Sequence, residues 1–194
     1  MNLSQLLPKK PISYWEERAN KVLLHFNFKH PDEIDIEEIC YRYGVKIMPL
    51  DEIFCPEMVD KPLNAFSIPS TKGRRGIIFI RPGLNPIDKK ILLAEEFCHI
   101  YAHHVSELLA DKILLDKTEQ QAKRMSAYLL MPRQFMKIMY DEMPAEGLAI
   151  EEIADIFLVT EEFAQYRLEL DFDQKAISVI SRWRGQYGSI EWID

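Results

Sequence analysis

Residues 77–104, IIFIRPGLNPIDKKILLAEEFCHIYAHH, constrain the fold more than any other stretch of this chain. The first four are apolar on both faces, and a strand without a polar face belongs in the interior of a sheet. The turn RPGLNP follows. Asn85 is a good helix N-cap, Pro86 suits the first helical position, and Asp88 sits where the helix dipole favours an acid, so a helix is expected to run to about His104. That helix has two faces. With Glu95 set at zero and about 100° per residue, His99 falls near 40°, His103 near 80° and Glu96 near 100°. Leu93, Phe97 and Ile100 lie on the opposite side and read as core. Cys98 falls just off the polar side and His104 points away. An interior strand followed by such a helix calls for a small sheet, of about three strands, packed by helices: the α+β class.

The rest of the chain supplies the other layers. In SYWEERANKVLLHFNF the apolar residues recur at helical spacing, with Ser13 as N-cap. DIEEICYRYG reads as a short helix that Asp35 caps and Gly44 ends. VKIMPL and NAFSIP alternate like strands, separated by a proline-rich, acidic loop over residues 51–63. Residues 118–121, T-E-Q-Q, form a capping-box pattern that predicts the start of another helix, which must kink or restart at Pro132. Two short helices are expected over residues 147–159 and 160–170, then a strand and a tail. The expected organisation is a tail over residues 1–11, a core over 12–142 and a helical part with a tail over 143–194, together one domain for a chain of 194 residues.

Composition narrows the function classes. Hydrophobic residues make up 47% of the chain, enough for a core without a disulfide or metal staple. The net charge of −7 argues against broad electrostatic binding to nucleic acid or anionic membranes. Cys40, Cys55 and Cys98 are odd in number and form no C-x-x-C, which fits a reduced, cytoplasmic chain. The N-terminus MNLSQLLPKKPISYW lacks the apolar run of a secretory signal, and no stretch reaches the roughly 18 apolar residues of a membrane span.

The polar face of the 86–104 helix carries chemistry. Zinc takes N, S and O ligands, and two ligands at i and i+4 on one helix reach one ion, with a carboxylate at i+1 beside the attacking water. Glu95, His99 and Glu96 occupy those three positions, in a motif that would read H-E-x-x-H but for Glu95. A carboxylate is a legitimate zinc ligand, though it makes the site less positive and the metal a weaker Lewis acid. A shifted frame, His99 with His103, also gives ligands at i and i+4 but puts Ile100 where the base should be. The blander account is a helix ending in histidines that suit its C-terminal dipole, with paired glutamates as a solvated face.

The surrounding text resembles the ImmA/IrrE family of metallopeptidases. There an interior strand precedes a helix reading AHELGH, and a later helix carries E-x-x-A and then LLMP. Here Glu119-Gln120-Gln121-Ala122 and Leu129-Leu130-Met131-Pro132 stand at the expected separation, over a resemblance spanning roughly residues 12 to 170. The resemblance implies a zincin-like active-site helix with Glu96 as catalytic base, His99 as second zinc ligand and Glu119 as third, Glu95 standing where the first histidine would be and Cys98 where a glycine is usual. It also implies a cytoplasmic protein of phage or mobile-element type whose protein substrate or partner is a helix-turn-helix transcriptional repressor. For Glu119 the competing account is an acid drawn to a helix N-terminus.

Two readings of function follow: a zinc-dependent endopeptidase that cleaves such a repressor, or a catalytically silent relative that regulates one by binding. A third, a DNA-binding regulator built on the helix pair of residues 147–170, is disfavoured because the second helix opens Thr160-Glu161-Glu162 and would set acids against phosphates. Arg74, Arg75, Arg182 and Arg184 are the better basic candidates, and direct nucleic-acid binding is not expected.

Overall fold

The computed structural model describes residues 13–50, 63–71, 73–102, 112–144, 147–172 and 181–182. Helix α1 (Tyr14–Leu23) starts where Ser13 Oγ accepts from the Glu16 amide at 3.1 Å, and it buries Ala19 and Val22. Helix α2 (Ile36–Tyr43) begins at Asp35, whose carboxylate accepts from the amides of Glu37 and Glu38, and ends at Gly44 with φ of 70°, a left-handed turn that suits glycine. A single 3₁₀ turn, Pro31–Glu33, lies between them.

Strands β1 (Val45–Pro49), β2 (Ala65–Pro69) and β3 (Gly76–Ile80) form one mixed sheet in the order β1-β3-β2. IIFI is the central strand, as its two apolar faces require. It runs parallel to β1, with Val45 opposite Gly76 and Pro49 opposite Ile80, and antiparallel to β2, with Ala65 opposite Ile80. Ile78 and Ile80 point into the core while Phe79 stacks on Phe66 across the ladder at 4.9 Å. Both prolines of the sheet sit on edge strands, where a missing N–H is tolerated.

Helix α3 (Pro86–Ala102) packs on this sheet. Asn85 Oδ1 accepts from the Ile87 amide at 2.8 Å, the predicted cap. Leu93, Phe97 and Ile100 are buried, as its apolar face required. The approach is close at Gly76, where an added Cβ would stand 2.6 Å from the Ile68 carbonyl oxygen and 2.8 Å from Ile100 Cδ1. Gly76 thus lets α3 lie against the sheet and sets the height of the helix that carries the polar face.

Helix α4 (Lys112–Leu130) packs against both α1 and α3. Its extent corrects the capping-box reading: Thr118 lies inside the helix and is buried, so it starts nothing. The residues before it, from Lys112 on, are helix formers with no breaker, and the S/T-x-x-E/Q pattern also arises by chance within a helix. Pro132 does end α4, and α5 (Arg133–Glu142) restarts directly after it.

The C-terminal part comprises α6 (Ile150–Phe157), α7 (Glu161–Glu169) and a two-residue parallel pairing of β4 (Leu148–Ala149) with β5 (Ser181–Arg182). The break between α6 and α7 falls at Leu158, which is left-handed with φ of 52°, and Thr160 Oγ1 caps α7 through the Phe163 amide. Phe163, Ala164, Arg167 and Leu168 of α7 are buried, so this helix is committed to packing.

An ionic cluster locks these pieces together. The Arg133 guanidinium donates to both carboxylate oxygens of the buried Glu16, at 2.6 and 2.8 Å, joining α5 to α1. The fully buried Arg167 pairs with Asp171 at 2.8 Å, donates to the Met131 carbonyl at 2.9 Å and lies over the Tyr128 ring. The LLM-Pro turn is therefore held by a side chain from α7, which satisfies one carbonyl that Pro132 leaves at the end of α4.

Candidate metal centre

The site grows from the return of α4 along α3. Glu96 and His99 are both buried, at 6% and 5% exposure, although both are polar. Buried polar side chains are costly unless something satisfies them, so their place on the inner side of α3 is a feature to explain. His99 Nε2 lies 3.1 Å from Glu119 Oε1, across the α3–α4 interface. The Glu119 side chain is 47% exposed, so the site is deep on the α3 side and open to solvent on the α4 side.

The extent of α4 removes the bland account of Glu119. Lys112 already belongs to the helix, so Glu119 is well past the first turn, where the dipole has lost its hold. What faces it is His99.

Glu95 is half-buried one turn before His99. Burial pushes its carboxyl up from the usual range; the Lys123 ammonium pulls it back, Glu119 raises it further and His99 opposes that rise. Cys98 is fully buried, and desolvation pushes its thiol well up. It packs as a small hydrophobe where a glycine was expected, and is inert there. His103, the alternative second ligand, lies outside the described residues.

The donor set can be compared with a metal's needs. Two tetrahedral zinc ligands, each about 2.0–2.1 Å from the ion, stand about 3.3–3.4 Å apart. The 3.1 Å between His99 Nε2 and Glu119 Oε1 is within a few tenths of that edge, and imidazole and carboxylate are both zinc ligands. Among the described residues, no three His, Cys, Asp or Glu side chains converge closely enough to hold an ion. The fit is thus a matched pair, with Glu95 as a third donor that does not close on them in this arrangement.

Lys123, whose charge opposes the effect of burial on the Glu95 carboxyl, is the residue that sequence reasoning missed. In the sequence Lys123 is the i+4 partner of Glu119, an unremarked charge pair on a helix surface. Only the packing of α4 on α3 lets its charge act on Glu95.

A helix bearing E-E-x-x-H, backed by a three-stranded mixed sheet and facing a glutamate on the next helix, has the layout of a metallopeptidase domain. The IrrE N-terminal-like domain family, peptidase family M78, matches residues 40–169, and the chain belongs to it. This is the family that the E-x-x-A and LLMP signatures resemble, and its members are in general zinc-dependent metallopeptidases. No curated protein matches the chain. No helix among the described residues is long and apolar enough to cross a membrane.

Proposed function

We propose that this protein is a zinc-dependent endopeptidase of the ImmA/IrrE kind, acting in the cytoplasm on a helix-turn-helix repressor of a prophage or mobile element. One observation carries the reading: two helices bring His99 to 3.1 Å from Glu119, a residue the family pattern independently marks. His99 and Glu119 would hold the metal, with Glu95 as third ligand. Bound there, a divalent metal supplies Lewis acidity to a scissile carbonyl and to water. Glu96, next to Glu95 and buried beside His99, takes the proton of the attacking water and passes it to the leaving amine.

The proposed substrate class rests on family resemblance. The open side of the site at Glu119 suits entry of an extended peptide.

A second reading, a silent relative that binds a repressor without cutting it, is favoured by one feature: Glu95 does not converge with His99 and Glu119. Metal content separates the two. Protein purified without chelator is expected to carry about one zinc per chain, as a resident catalytic site does. Persistent absence of metal after zinc is added back supports the silent relative. Glu96→Gln then tests the chemistry. It should keep the metal and the fold while lowering cleavage about 10²- to 10⁴-fold, read by blotting for shortened repressor after co-expression. If both forms inactivate the repressor equally and neither yields a cleavage product, the endopeptidase reading is wrong.

A further inference from the structure

A groove of about 480 Å³ lies between the 3₁₀ turn, α5 and the C-terminal part. Its apolar wall comprises Ile138 and Met139 of α5, Met143 just after that helix, Leu148 of β4 and Ile156 of α6. Ile138 and Ile156 are 48% and 36% exposed. Gathered around one cleft, these side chains differ from the scattered apolar residues that any surface carries. Lys29 and His30, both exposed, bring basic groups to the same groove beside the 3₁₀ turn, and Glu142 brings one acid at the end of α5.

The place of β5 points to the occupant. Ser181 and Arg182 pair with Leu148 and Ala149, so the chain arrives at the groove's own wall. The pairing is parallel, so the chain leaving Arg182 sets out in the direction in which β4 leads into α6, the helix that bears Ile156. The sequence continues from there as WRGQYGSIEWID. Its last five residues interleave three large apolar side chains, Ile190, Trp192 and Ile193, with two acids, Glu191 and Asp194. That chemistry complements an apolar groove with basic groups at its edge. The eight steps from Arg182 to Ile190 reach at most about 26–29 Å, ample for a groove that begins beside Ser181. Gly185 and Gly188 permit turns on the way.

We infer that residues 190–194 of this same chain occupy the groove: Ile190 and Trp192 cover Ile138, Met139 and Ile156, while Glu191 and Asp194 face Lys29 and His30. Met139 and Met143 suit this, because an unbranched thioether side chain adapts to a bulky ring. Tethering through β5 lets a weak contact suffice, since a short linker gives an effective concentration on the order of mM. The segment then acts as a clasp that joins α5 to α6. It owes nothing to the metal site and stands whether or not the chain is a peptidase.

The test uses the full chain with a photoreactive side chain, Ile138→benzoylphenylalanine, as an equal mixture of isotopically labelled and unlabelled protein. On irradiation, position 138 should attach to the tryptic peptide of residues 185–194, and both halves of each product should carry the same label. Products of mixed label place the segment of a second copy in the groove and overturn the inference. Attachment to residues 1–12, or to any other segment, overturns it too, as does the absence of any attachment. Thermal denaturation gives a second readout. Trp192→Ser should lower Tm by about 2–8 °C, as loss of one partly buried aromatic does in a chain of this size. In an Ile138→Ser background the same change should cost about half as much or less, because the wall it packs on has been cut back. An unchanged Tm, or an equal loss in both backgrounds, means that Trp192 does not pack on Ile138 and overturns the inference.

Discussion

Gly76→Ala probes how the site helix is seated. The added methyl carbon would stand 2.6 Å from the Ile68 carbonyl oxygen, about 0.8 Å inside ordinary contact, and 2.8 Å from Ile100 Cδ1. The carbonyl cannot turn away, because Ile68 is fixed in the β2–β3 ladder opposite Ile77. Ile100 cannot swing out either, because it is fully buried between sheet and helix. β3 must therefore shift against both β2 and α3. Overpacking of this kind costs about 1–3 kcal/mol, and about 2–4 °C of Tm per kcal/mol in a chain of this size predicts a drop of about 2–12 °C. Thermal denaturation followed by circular dichroism measures it. Ile100→Val removes the Cδ1 atom in the clash and alone should cost about 0.5–1.5 kcal/mol. Because it relieves part of the clash, the double variant should be more stable than the sum of the two losses requires. Strict additivity, or a Gly76→Ala protein as stable as wild type, would refute the account of Gly76 as the contact that sets α3. A shift at Ile100 also passes to His99, the next residue back, so the double variant should recover zinc affinity along with stability.

Three further outcomes are expected. Arg167→Leu should destabilise by about 3–5 kcal/mol, or about 6–20 °C, because it takes from the buried Asp171 carboxylate its nearer cation, leaving only Arg133 at 3.7 Å, and removes the donor to the Met131 carbonyl; chemical denaturation measures it. Lys90 donates to the Phe157 carbonyl at 2.8 Å, and burial lowers its pKa to about 8, against 10.5 for an unperturbed lysine. Between those two values the unfolded chain binds the extra proton, so this group's contribution to stability rises with pH from about 8 to 10.5; urea midpoints of wild type minus Lys90→Met should climb over that window, and a flat difference contradicts the assignment. Glu119→Gln should weaken zinc binding by more than the roughly tenfold that loss of a supporting outer partner brings, read by competition with a chelating dye; an unchanged affinity removes Glu119 from the ligand set.

The sequence by itself determined what depends on neighbours a few residues away. Asn85 with Pro86, Asp35 with Gly44 and Pro132 mark helix ends because capping, left-handed φ and a missing N–H act locally. The two-sided apolarity of IIFI placed it in the middle of the sheet, and the helical period separated Leu93, Phe97 and Ile100 from Glu95, Glu96 and His99. The α+β class followed from those elements. The capping-box pattern at Thr118 misled because a four-letter pattern carries no information about whether helix already precedes it. Tertiary structure decided the rest. The order β1-β3-β2 depends on which edge each strand reaches, and the sequence contains no term for that. Glu119 meets His99 only because α4 packs along α3, and Arg167 reaches the Met131 carbonyl only because α7 packs on α4. An acid such as Glu119 reads as an ordinary helix-surface charge until a second helix supplies His99, because electrostatic partners are set by distance in space and the sequence records only distance along the chain.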